Sequence, residues 1–151
     1  MPSLSDEVRV AGAFILEVDG KEIGLFKEVH GLRAEMQVVT LDEGGQNQFA
    51  HRLPGRLTWP NVVLRRGVTS SDNLLAWLLK CSGDGYEGAN RKLEPTTAAI
   101  TMLDHEFQRV QGWSITGAFP VRWEGPSLAA GSNEAAIEEL EIAHHGFRPS
   151  H

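Results

Sequence analysis

The stretch Leu-Pro-Gly-Arg-Leu-Thr-Trp-Pro-Asn-Val-Val-Leu-Arg-Arg-Gly-Val-Thr-Ser-Ser-Asp-Asn-Leu-Leu-Ala-Trp-Leu-Leu-Lys-Cys, from Leu53 to Cys81, is where the hydrophobic period of this chain changes. Up to Arg66 it is rich in Val, Leu and Trp and punctuated by proline, which fits a strand with an edge or bulge near Pro60. After Gly67 the pattern turns helical. Thr69 to Ser71 offer hydroxyls for an N-cap, and Asp72 is expected to place a carboxylate in the first turn, where the helix dipole favours it. Leu74, Leu75, Trp77, Leu78 and Leu79 form a broad apolar stripe, and Ser82 and Gly83 end it. One helix over 71–81 is therefore expected, docked through Leu74, Trp77 and Leu78 on a chain that otherwise reads as strands.

Upstream, residues 1–11 are a polar lead-in of the kind that orders only against something else. Ala13 to Val18 reads as a strand, Asp19-Gly20 as a hairpin turn, and Ile23 to Val29 as the returning strand. His30-Gly31 breaks the run. Leu32 to Leu41 reads as a third strand, with Leu32, Ala34, Met36 and Val38 facing one way and Arg33, Glu35 and Gln37 the other, so one side should be apolar. Residues 42–52 are polar and glycine-bearing, longer than a hairpin needs, and so form a candidate contact loop; the plainer alternative is a mobile surface loop.

Downstream, Gly83, Gly85 and Gly88 have the spacing of a dinucleotide fingerprint, but in the wrong place. That motif must follow a strand and open a helix so that the helix N-terminus meets the pyrophosphate, whereas here it follows a helix. Thr97 to Leu103 reads as a strand, Asp104-His105-Glu106 as a turn and Phe107 to Ile115 as another strand. The prolines between Trp113 and Leu128 exclude a helix and call for extended segments with breaks. Asn133 to Ala143, rich in Ala, Glu and Leu, favours a helix by propensity alone.

Composition narrows the function classes. With 151 residues, 41% hydrophobic and 23% charged, the chain suits one globular domain, and no apolar run approaches the roughly 20 residues of a membrane span. A net charge of −6 argues against a nucleic-acid-binding surface, since phosphate neutralisation needs clustered cations and Arg65-Arg66 is the densest basic spot. No secretory signal is legible at the N-terminus, and the single cysteine, Cys81, cannot form an internal disulfide. Synthesis in a reducing cytoplasm and a buried, inert thiol are expected. No nucleophile elbow, P-loop or zinc-protease signature is present, so no catalytic residue, cofactor or metal is assigned. His144 and His145 are adjacent and would point to opposite faces of a strand, while His30, His51 and His105 stand alone; structural or surface roles fit them better than ligation. Trp59, Trp77, Trp113 and Trp123 suit core packing more than ligand stacking.

Seven short strings then occur in a telling order: Glu-Val-Asp-Gly at 17–20, Glu-Val-His-Gly-Leu at 28–32, Glu-Gly-Gly-Gln-Asn at 43–47, Leu-Pro-Gly-Arg at 53–56, Leu-Arg-Arg-Gly-Val-Thr at 64–69, Trp-Ser-Ile-Thr-Gly-Ala-Phe-Pro-Val-Arg-Trp at 113–123 and Glu-Leu-Glu-Ile-Ala-His-His-Gly-Phe at 139–147. Together they resemble the tail tube protein family of contractile phages and phage-derived extracellular contractile injection systems. The departure is His145, where relatives carry Glu. The resemblance implies a mainly β fold, a β-sandwich or split barrel with one flanking α-helix, with six copies closing into a ring-shaped β-barrel and rings stacking into a hollow tube. It also implies that 135–144 is a strand, against the propensity reading. Implied partners are further copies of the chain, a surrounding sheath, baseplate or hub and tube-terminator proteins, and cargo protein or DNA in the lumen, in a phage tail or phage-like particle without membrane anchoring.

In that setting Glu43, Gly44, Gly45, Asn47, Arg52, Arg65 and Arg66 are candidate contacts between subunits or rings, with Arg56 beside them; a solvated surface is the plain alternative. Six copies carry about −36 per ring at the formal subunit charge, which would repel acidic cargo wherever it lines a channel. Two rivals remain open: a tube-initiating or baseplate paralogue that forms a single ring, and, from another class, a monomeric β-barrel binding a small ligand near its tryptophans. A strictly monomeric, ligand-retaining protein would favour the last.

Overall fold

The computed structural model describes residues 10–41, 51–82, 96–126, 131 and 136–150. Its strands are β1 (Ala13–Val18), β2 (Lys21–Phe26), β3 (Glu28–His30), β4 (Glu35–Leu41), β5 (His51–Thr58), β6 (Val62–Gly67), β7 (Thr96–Leu103), β8 (Arg109–Glu124), β9 (Ile137–Ala143) and β10 (Phe147–Ser150), and its helix is α1 (Asn73–Cys81). Among the described residues the fold is mainly β with one flanking helix. Asp19 and Gly20 turn β1 into β2 with φ of 52° and 80°, the paired left-handed geometry of a two-residue hairpin, which is why that dipeptide marks the turn.

The main sheet runs β2-β1-β7-β8-β9-β6-β3, all neighbours antiparallel, with β10 added on β8. Its two ends are consecutive pieces of one chain, so the sheet closes on itself. The joint is Lys27, whose N–H donates to the Arg65 carbonyl at 2.9 Å; here the run expected as a single strand over Ile23 to Val29 leaves β1 and takes up β6. Closure is confined to this joint: among the described residues no ladder joins β2 to β3, and the outer edges of β2, β3 and β10 carry no strand.

One strand serves both walls of this split barrel. The first part of β8 pairs with β7 and β10 and its last part with β9, and the register shifts between Pro120 and Arg122. The breaks expected from proline are thus absorbed as one bulge inside a continuous strand. Phe107, expected to start this strand, lies instead in the preceding turn.

Residues 137–143 are a strand, as the resemblance implies and propensity does not. β9 is paired on both edges and alternates strictly: Glu138, Leu140 and Ile142 point inward, and Glu139 and Glu141 outward. Burial of that inner face outweighs a helix propensity worth only tenths of a kcal/mol per residue. The core is filled by Leu16, Phe26, Val62, Leu64, Ile100, Ile115, Leu140 and Ile142.

Helix α1 adds Leu74 and Trp77 to that core, half-buries Leu78 and leaves Leu79 exposed. Asp72 is the N-cap residue rather than a first-turn carboxylate, and its side chain makes no capping bond; the Ser71 hydroxyl accepts from the Asn73 N–H at 3.4 Å instead. The glycine spacing at 83–88 lies outside the described residues.

Candidate functional site

Among the described residues, strands β4 and β5 pair only with each other and stand apart from the barrel as a two-stranded arm. The run expected as one strand from Leu53 to Arg66 is therefore two: β5 ends at Thr58, and the chain turns through Trp59-Pro60-Asn61 into β6 of the main sheet. Every residue of the arm is exposed.

Register shows what the arm presents. Val39 lies opposite Leu53 and Leu41 opposite His51, which puts Val39, Leu41 and Leu53 on one face. Met36 opposite Leu57 and Val38 opposite Pro54 define the other face. The two faces are reconciled by one extra residue in β5, a bulge at Gly55-Arg56 across from Gln37. Alternation within Leu32 to Leu41 pointed to one apolar side; the arm has two. The Val38-Val39 doublet was the signal, because adjacent residues of a strand face opposite ways.

The arm is firmly rooted. Gly31 has φ of 90°, and a Cβ there would sit 2.1 Å from the Asn61 carbonyl oxygen, so only glycine lets the entering chain pass beneath the leaving one. Beside it, Trp59 packs edge-on against Phe147 at 5.0 Å between ring centres. A ring nitrogen of His144, Nε2, lies 3.0 Å from the Pro60 carbonyl, and its Nδ1 accepts from the Gly146 N–H at 3.0 Å. His144 thus holds the hinge, a use of the residue that spacing arguments about metal ligands did not reveal.

Of the sequence-derived contact residues, Arg52 lies on the arm opposite Thr40, and Arg56 lies in its bulge. Glu43, Gly44, Gly45 and Asn47 lie outside the described residues. Arg65 and Arg66, adjacent in β6, face opposite ways. Arg66 points into the barrel, 6% exposed, its Nε 2.9 Å from the carboxylate of Glu138, which is 4% exposed. The other Glu138 oxygen accepts from Trp123 Nε1 at 2.6 Å, and the guanidinium lies 5.4 Å from the centre of the Phe26 ring. Arg66 is therefore engaged inside its own subunit rather than offered to a neighbour.

Arg65 faces outward, where it joins a polar ladder across β3, β6, β9 and β8. It meets Glu139 at 2.8 Å and Glu28 at 3.6 Å. Arg122 meets Glu139, Glu124 at 2.8 Å and Glu141 at 3.3 Å, and Asn61 donates to Glu141 at 3.1 Å. The hydrogen bond from Arg122, aided by Arg65, holds the Glu139 carboxyl below its ordinary range, and the same bond raises Arg122. A depressed carboxyl stabilises the fold above its unfolded-state value, and that contribution disappears as pH falls through the folded-state value. Glu139→Gln is accordingly expected to lose less stability than the parent on acidification from about pH 6 to about pH 3, read as urea midpoints. An equal loss in both would remove the assigned role.

Other chemistry is sparse. Burial pushes the Cys81 thiol up against the pull of Lys80, which disfavours the reactive thiolate. Among the described residues no group of three His, Cys, Asp or Glu side chains is placed to hold a metal, and no helix is long and apolar enough to cross a membrane.

Comparison with known proteins agrees with this geometry. No curated protein matches the chain by sequence. In fold it is similar to a chain of the PVC sheath-tube complex of an extracellular contractile injection system in the extended state, with a TM-score of 0.77, 22% identity, and 97% of this chain and 93% of that one covered. A chain of the anti-feeding prophage tube-terminating cap gives 0.72 at 20% identity over 99% of each. Hcp1 from Salmonella typhimurium gives 0.54 at 14% over 93% of each. The model of the T4-like virus tail tube protein gp19 family matches residues 10–148, nearly the whole chain, and the protein belongs to that family.

Proposed function

We propose that this protein is the structural, non-enzymatic subunit of the inner tube of a contractile tail or injection particle, in which six copies close into a ring and rings stack into a channel. The observation that carries the reading is the arm. A two-stranded hairpin is marginal alone, and this one leaves Met36, Val38, Val39, Leu41, Leu53 and Leu57 in water on two faces, with both outer edges unpaired among the described residues. Burial between copies removes that exposure, and the arm, which stands apart from the barrel, is the natural bridge to a neighbour. A head-to-tail contact of this kind closes into a ring or continues as a stack. Tail tube membership supports the rest: a sheath around the tube, a baseplate below, a terminator above and cargo within.

The test is electron microscopy of the purified full-length chain over a range of concentrations. Six-fold rings or hollow tubes are expected. A monomer that persists at high concentration overturns the reading.

A further inference from the structure

We propose that the β7–β8 turn is a second docking element, in which Phe107 and the carboxylate of Glu106 seat against the β4–β5 arm of another copy of this chain. The inference rests on the tube reading and names a contact within it.

Phe107 is unusual on two counts. Its φ is 60°, a left-handed conformation that is a genuine outlier for a bulky side chain, and the residue is 66% exposed. The turn imposes this backbone. The Phe107 N–H donates to the Asp104 carbonyl at 3.0 Å, the Asp104 N–H donates to the Gln108 carbonyl at 2.9 Å, and Asp104 Oδ1 accepts from the N–H groups of Glu106 and Gln108, each at 2.9 Å. Asn or Gly would satisfy the same turn without strain and without an aromatic ring in water. The ring lies outside the barrel core, so the subunit alone gains nothing from it.

The arm is complementary in chemistry. It offers Met36, Val38 and Leu57 beside Arg52 and Arg56, and neither arginine forms an ion pair among the described residues. The turn offers an aromatic ring beside the exposed Glu106. Within one subunit the two are remote along β8: the turn opens onto Arg109, whereas the root of the arm adjoins β9 at Ile142, which lies opposite Pro120. The root also reaches β8 at Ile115, through Trp59 on Phe147, so the separation runs from six to eleven strand residues, or roughly 20–35 Å. Contact between turn and arm is therefore heterologous, the turn of one copy on the arm of the next.

Phe107→Asn separates this contact from folding. The thermal midpoint of the dilute, unassembled variant should rise by about 2–4 °C as the strain is relieved, while the concentration needed for assembly rises about tenfold or more. Glu106→Arg should also weaken assembly, and Arg56→Glu in the same chain should restore it. Assembly of Phe107→Asn at the parent concentration, a fall in its thermal midpoint, or failure of the charge swap to restore Glu106→Arg overturns the docking element and leaves the tube reading standing. Failure of the unaltered protein to form rings overturns both.

Discussion

Val39→Asp, made in the full-length chain, should give a folded subunit that no longer assembles. Val39 faces Leu53 across the arm, and no residue of β4 or β5 belongs to the barrel core, so the thermal midpoint of the dilute subunit should be that of the parent. If the arm is buried between copies as proposed, an unpaired carboxylate at this position costs several kcal/mol in the assembly. Each 1.4 kcal/mol is tenfold in an equilibrium constant, so the critical concentration should rise by about two orders of magnitude or more. Sedimentation and micrographs at matched concentration read the result. Tubes of normal appearance from Val39→Asp would remove the arm from the interface, whereas a lowered thermal midpoint would show that the arm supports the barrel.

The second large effect is inside the barrel. Glu138→Leu leaves the Arg66 guanidinium buried without its counter-charge and also strips Trp123 Nε1 of its acceptor. Breaking a buried pair from one side typically costs about 3–5 kcal/mol, a large part of the roughly 5–15 kcal/mol that a domain possesses. The double variant Arg66→Met with Glu138→Gln removes both charges, keeps an oxygen for Trp123 and lays an apolar chain on Phe26. It should recover most of the loss, because a buried ion pair contributes little net stability over apolar packing. Urea unfolding of the unassembled parent, Arg66→Met, Glu138→Gln and the double variant measures the coupling. Losses that simply add would mean that the two side chains act independently.

Much of the fold was legible in local chemistry. Asp19-Gly20 needs two left-handed residues and allows little else, and the leucines of α1 announce a helix face. Other features depended on what lay across the space between strands. Residues 137–143 carry helix-forming side chains and become a strand because β6 and β8 claim both edges. Arg65 and Arg66 looked equivalent in sequence, yet strand alternation sends one to the surface ladder and the other into the core. The arm was hidden for the opposite reason: its Val, Leu and Met content reads as an ordinary half-buried strand, and nothing local shows that the subunit itself leaves both faces uncovered. Arg52 could be singled out by charge, but its place on the arm follows from pairing with β4.

Strand β8 has a mechanical consequence. Its 16 residues hold about 50 Å of extended chain that belongs to both walls of the barrel. To part those walls, a pull must stretch covalent backbone or shear many ladder bonds at once, instead of unzipping them singly from an edge. In a tube of the proposed kind, a subunit under axial load is therefore stiffest along the strand its two walls share.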